Sequence, residues 1–387
     1  MTRQHLLLSI LPITASAILL AGCGGGSPVE KGEAALRRGD YAEAARQFKR
    51  ATSKEPSAVP LLYNLGMALS RAGDHAGAAK AFRDVLRFTP GDLDAAEYLA
   101  AELRQTGRAE DLVQSHENLE EIVLKYRQDP TARARALSSL ALTENALRRT
   151  DLALAHLLLA RQVAPDYAPA LFNFAWICQN PLRLGVPARR AMEEFLAMPG
   201  ADPEQVERAG EFIAALPKPP PPAAESSPAA KELVARGKAE FDRKNFAVAL
   251  DHFTRALDAD PKAADAALDK AKALFNLNRA EEAAAAFAVA AELDATSFEP
   301  AYWQARIAYT AGDYDTALSL LTSRVIPFWP EKPDSYMIAC YAFTQCKRYY
   351  EARLYGELFV EAAKAAGQSP DDFSAWLTRL PPASFKP

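Results

Sequence analysis

The chain has 387 residues, of which 49% are hydrophobic and 24% charged, the balance of an ordinary folded protein with room for two or three domains. That composition excludes extended disorder. A formal net charge of -4, with acids and bases interspersed, excludes the basic footprint that phosphate backbones require, so nucleic acid is not expected as a partner.

At the N-terminus, Arg3 precedes an apolar run from Leu6 to Leu20. The run is too short to span a bilayer comfortably and has the form of a signal peptide. It ends in Leu20, Ala21, Gly22 and Cys23 and passes into Gly24, Gly25, Gly26 and Ser27. This resembles the lipobox of bacterial lipoproteins, in which a large apolar residue and two small ones precede a cysteine. The resemblance implies removal of residues 1–22, lipidation of Cys23, a flexible tether over 23–27 and a lipid-anchored place in the bacterial envelope. Gly24 resembles the following residue of lipoproteins forwarded to the outer membrane rather than held at the inner one. Two or more acyl chains anchor stably, since each buried methylene contributes about 0.8 kcal/mol.

Past the tether the sequence is periodic. Gly39, Asp40, Tyr41, Ala44, Phe48, Ala51 and Pro56 recur as Gly73, Asp74, His75, Ala78, Phe82, Val85 and Pro90, each at an offset of 34. A third unit keeps Leu99, Ala100 and Gly107 but reaches Pro130 only after forty residues, which predicts a second helix extended through Leu119, Ile122 and Leu124. A fourth closes at Pro165. A fifth has Pro181 and Pro187 where the turn belongs, so an irregular hairpin is expected there. Residues 203–216 read as a capping helix with Phe212, Ile213 and Leu216 inward.

Residues 217–230, with Pro217, Pro219 to Pro222 and Pro228, predict a stiff polyproline II linker of roughly 3.1 Å per residue, on the order of 35–40 Å. The period then resumes. Asn245, Phe246, Ala249, Phe253 and Ala256 recur as Arg279, Ala280, Ala283, Phe287 and Ala290, and again from Asp313 and Tyr314. A fourth copy starts one residue late at Arg348 and Tyr349. Residues 365–387 form a cap and tail, with Phe373, Trp376 and Leu377 on a short closing helix.

The 34-residue period and these position-specific residues resemble the tetratricopeptide repeat, a helix-turn-helix unit. Gly32, Gly66 and Gly237 occupy its first-helix small position. The resemblance implies an all-α fold of two superhelical arrays, 28–216 and 231–364, joined by the Pro-rich linker.

No residues point to catalysis. Cys178, Cys340 and Cys346 fit neither a disulfide framework nor a zinc site. Cys340 and Cys346, six apart on one expected helix, point to different faces. The histidines, His5, His75, His116, His156 and His252, have no second ligand at metal spacing. Neither a phosphate loop nor a nucleophile elbow is present. The chain is read as non-enzymatic, with no cofactor, no metal and no small-molecule substrate.

In tetratricopeptide repeats the fifth, ninth and twelfth positions typically face a bound peptide. Carried over to the second array, the fifth gives Val234, Leu268, Tyr302 and Met337, and the ninth gives Lys238, Lys272, Arg306 and Tyr341. The twelfth gives Phe241, Phe275, Tyr309 and Thr344. A column of three cations beside three aromatics suits an extended peptide with acidic and apolar groups. In the first array the corresponding apolar patch is Tyr63, Met67, Phe172 and Trp176. Asn64 and Asn173 lack the basic companions of the carboxylate clamp that chaperone-binding relatives carry. The function expected is a membrane-anchored scaffold for envelope proteins. The alternatives are a self-associating homo-oligomer without a peptide ligand and, last, an enzyme or glycan-binding protein.

Overall fold

The computed structural model describes residues 26–180, 182–199, 203–221 and 223–382. The expected signal peptide and Cys23 lie outside them. Among the described residues every regular element is a helix and none is a strand, as expected for an all-α repeat fold.

The described residues up to Ile177, with Ala191–Ala209, form one compact unit; Cys178–Arg190 and the described residues from Gly210 form a second. The first contains α1 (Pro28–Arg37), α2 (Tyr41–Lys54), α3 (Val59–Arg71), α4 (His75–Phe88), α5 (Leu93–Thr106), α6 (Ala109–Lys125), α7 (Pro130–Ala146) and α8 (Thr150–Val163). Then follow α9 (Ala168–Gln179), α10 (Gly185–Ala197) and α11 (Pro203–Ala215), which straddle the division. From α1 to α8 each helix packs on its neighbours in the chain. The second unit contains α12 (Pro228–Asp242), α13 (Phe246–Ala259), α14 (Ala264–Asn276), α15 (Ala280–Leu293), α16 (Glu299–Thr310), α17 (Tyr314–Leu320), α18 (Pro333–Gln345), α19 (Tyr349–Ala365) and α20 (Asp371–Thr378). As the long third unit implied, α6 runs seventeen residues.

The repeated aspartates are helix caps. The side chains of Asp40, Asp74 and Asp313 accept from the backbone N–H of Glu43, Gly77 and Thr316 at 3.0, 2.9 and 3.2 Å, satisfying donors that the start of a helix leaves open. The residue before each cap must turn the chain with a left-handed backbone. Gly39, Gly73 and Gly312 do so at φ of 75°, 83° and 81°, but Arg148, Lys244, Asn278 and Lys347 hold the same turn at φ of 59–64°. A side chain there is strained. Lys244→Gly is therefore expected to raise the unfolding free energy by about 0.5–1 kcal/mol in a urea titration; an unchanged midpoint would mean that the turn stores no strain.

The aromatic of each clean repeat fills the space between its two helices. Phe48, Phe82, Phe253 and Phe287 are fully buried. Opposite the first three stand Gly32, Gly66 and Gly237, where an added Cβ would lie 2.9, 2.7 and 2.5 Å from ring carbons. The small position is thus the counterpart of the ring.

In the second unit α12 contacts α14 and α16 contacts α18, so first helices of neighbouring hairpins lie side by side. One hairpin departs from the pattern. After seven residues α17 gives way to a π-helical turn, Leu321–Val325, closed by the N–H of Ile326 donating to the carbonyl of Leu321 at 2.8 Å. A π-turn absorbs one extra residue, and the following copy is the one that starts a residue late.

Candidate functional site

The first helices α12, α14, α16 and α18 carry the predicted positions in sequence. Fifth-position residues mostly serve the core: Val234 and Tyr302 are 3% and 4% exposed, while Leu268 and Met337 are half-buried. Burial is the main cause that pushes the Tyr302 phenol above its usual range; Arg306 opposes it and Asp334 adds to it.

Of the ninth-position cations, two are already matched by acids. Lys238 Nζ lies 3.4 Å from Asp269, and Lys272 Nζ lies 3.6 Å from Asp269 and 2.7 Å from Glu299. The result is an alternating chain across three helices, Lys238, Asp269, Lys272 and Glu299. Burial raises the Asp269 carboxyl above its ordinary range despite the two lysines. Arg306 differs. Its guanidinium lies 4.5 Å from the centre of the Trp303 ring, 5.3 Å from Phe275 and 5.8 Å from Tyr302. Tyr341 is covered by the closing helix, with Phe373 and Trp376 at 5.8 and 5.1 Å.

The twelfth-position rings are half-buried and each leans on a neighbour: Phe241 on Phe246 at 5.1 Å, Phe275 on Trp303 at 5.1 Å and Tyr309 on Tyr314 at 5.7 Å. They pack with one flank and present the other. Thr344 donates its hydroxyl to the Cys340 carbonyl at 2.8 Å, which ties it to its own helix. Cys340 itself is buried, and burial pushes its thiol up to about 12, leaving it an inert core residue.

Sequence reasoning missed Asp269, Glu299, Trp303, Trp329 and Lys332. Asp269 sits three residues before Lys272, so the pair is readable from helical spacing. Trp329 and Lys332 come from the segment after the π-turn, and the one-residue delay of the fourth copy is the signal that marked it.

The first-array residues form two separate groups. Tyr63 donates to Asp92 at 2.5 Å, and burial, then this carboxylate, raises its phenol; Met67 packs on the cluster around Phe82. Phe172 stands edge-on to Phe195 at 6.2 Å, under Arg208 at 5.8 Å, and Trp176 is half-buried. Two polar knots were also unforeseen. Glu102 is held by Ser70 and His75 at 2.6 and 2.7 Å. Fully buried Glu144 on α7 meets His116 of α6 at 3.2 Å and His156 of α8 at 2.7 Å.

Residues 29–92 and 234–300 match the family model of the tetratricopeptide repeat. These two segments are tetratricopeptide repeats. Among solved structures, the chain is similar to MamA 41-end from Desulfovibrio magneticus RS-1, at 21% identity, covering 48% of this chain and 93% of that one with a TM-score of 0.34. It is also similar to the APC/C hetero-tetramer Cut9-Hcn1, at 12% identity, covering 87% of this chain and 59% of that one with a TM-score of 0.36. No curated protein matches the chain. Among the described residues no helix is long and apolar enough to cross a membrane, and no group of three or more ligand-type side chains is arranged to hold a metal ion.

Proposed function

We propose that the chain is a scaffold that holds an extended segment of a partner protein along the first helices of its second unit, while lipidated Cys23 fixes it to a membrane of the bacterial envelope. The observation that carries this reading is the side-by-side contact of those helices, bridged by the Lys238–Asp269 and Lys272–Glu299 pairs. Half-exposed Phe275, Trp303 and Tyr309 then fall within reach of one extended chain. Such rings contribute more binding energy than rim charges. An acylated tether adds a second effect, since it raises the local concentration of whatever the repeats hold. The anchor and the envelope location rest on the lipobox resemblance alone.

Crosslinking capture from native envelopes tests both parts. The double variant Arg306→Ala with Tyr309→Ala is expected to lose the captured partner by about tenfold or more while keeping its helical circular dichroism. Tyr302 is left unchanged because its burial makes it a packing residue. Undiminished capture would put the interface elsewhere. Cys23→Ser is expected to move the protein from the membrane to the soluble fraction, and retention on membranes would overturn the lipid anchor.

A further inference from the structure

We infer that the second unit selects a partner segment bearing an acidic residue beside an aromatic one, and that the acid docks on Arg306 in a pocket completed by the irregular segment 321–332. This rests on the reading that the row of first helices binds an extended peptide. Charge complementarity carries it further. Lys238 and Lys272 are neutralised by Asp269 and Glu299, but Arg306 makes no ion pair among the described residues.

Its guanidinium is held instead against Trp303 and Phe275. Stacking on rings fixes the guanidinium and leaves edge N–H groups for a carboxylate in its plane, the geometry of a bidentate pair. A second cation, Lys332, also lies against the Tyr302 ring, 5.4 Å from its centre and 5.1 Å from that of Trp329. The acid at hand is Asp334, which lies 3.9 Å from Lys332 and leaves the cluster with one positive charge in excess.

Trp329 and Lys332 do not belong to the repeat register. They follow the π-turn, where the N–H of Trp329 donates to the Val325 carbonyl at 2.7 Å and the Tyr336 hydroxyl donates to the Pro330 carbonyl at 2.7 Å. These bonds pin the segment, so the half-buried Trp329 ring is held as a preformed apolar surface beside Lys332 and 6.2 Å from the Tyr302 ring that Arg306 also covers. An aromatic side chain beside the docked acid has a ring to stack on.

The test is to pan a phage library of random dodecapeptides on the full chain. Recovered peptides are expected to be enriched about tenfold in Asp or Glu adjacent to Phe, Tyr or Trp. Arg306→Gln should abolish the acid preference and keep the aromatic one, Lys332→Gln should weaken the acid preference, and Lys262→Gln, at an exposed turn before α14 and outside the row of first helices, should leave both intact. Binders without an acid preference, or with one unaltered in both the Arg306 and Lys332 variants, overturn the pocket and leave the binding row standing. Recovery of no peptide at all overturns both. If Arg306→Gln loses helical signal, the Lys332→Gln result decides, since that side chain is partly exposed.

Discussion

Glu144→Ala is expected to cost about 3–5 kcal/mol in urea denaturation followed by circular dichroism. The carboxylate is fully buried and ties α7 to both neighbours, through His116 on α6 and His156 on α8. Removing it leaves a polar cavity where two imidazoles converge, and a buried network broken at its centre is worse than an apolar core. Glu144→Gln keeps the volume and should lose less. A pH dependence follows. Burial pushes this carboxyl up, but the two imidazoles, His156 foremost, outweigh it and bring it below its usual value of 4.5. The folded chain therefore binds fewer protons here than the unfolded chain, and the stabilisation is complete above about pH 4.5 and fades as the pH falls further. Stability measured at pH 7 and pH 4 should drop more in the wild type than in Glu144→Gln. Equal drops would remove this group from the acid response.

Much of the fold was legible because a repeat states its rules several times. The glycine and aspartate at the turns before α2, α4 and α17, the small residue in the first helix and the aromatic in the second recur at one spacing, and each has a single physical reason that the structure reproduces. The site was less legible. Positions carried over from the family located the right helices, but a position number does not say which flank of a side chain is covered. Val234 and Tyr302 face the core, and Tyr341 lies under Trp376. Nor does the period report what lies between its marked positions. Asp269 and Glu299, which neutralise two of the three cations, are not repeat-defining residues. The Glu144 knot joins residues 28 and 12 apart on three helices, separations that match neither the helical period nor the repeat. The delayed fourth copy was visible as an offset of 35 between Asp313 and Arg348, yet its consequence, a π-turn followed by an aromatic segment, depends on backbone hydrogen bonding.

Phe253→Ala is expected to cost the second unit a further about 3–5 kcal/mol, and the reason lies in its partner. The ring is fully buried and fills the space opposite Gly237. A glycine has no side chain to settle into the hole, so the cavity stays open and its walls lose dispersion contacts. Phe287 faces the same position one repeat later, where the residue is Ala271; there a methyl group already occupies part of the volume, and Phe287→Ala should fall at the lower end of the range. The pairing is testable by a double-mutant cycle. Gly237→Ala alone places a Cβ 2.5 Å from the Phe253 ring and should destabilise by overpacking, whereas in the Phe253→Ala background the same methyl enters empty space. The two changes together are expected to cost less than their sum, by at least about 0.5 kcal/mol, with amide-exchange protection lost first in α12 and α13. Strict additivity would mean that ring and glycine do not recognise each other, and the recurring small residue of the first helix would need another explanation.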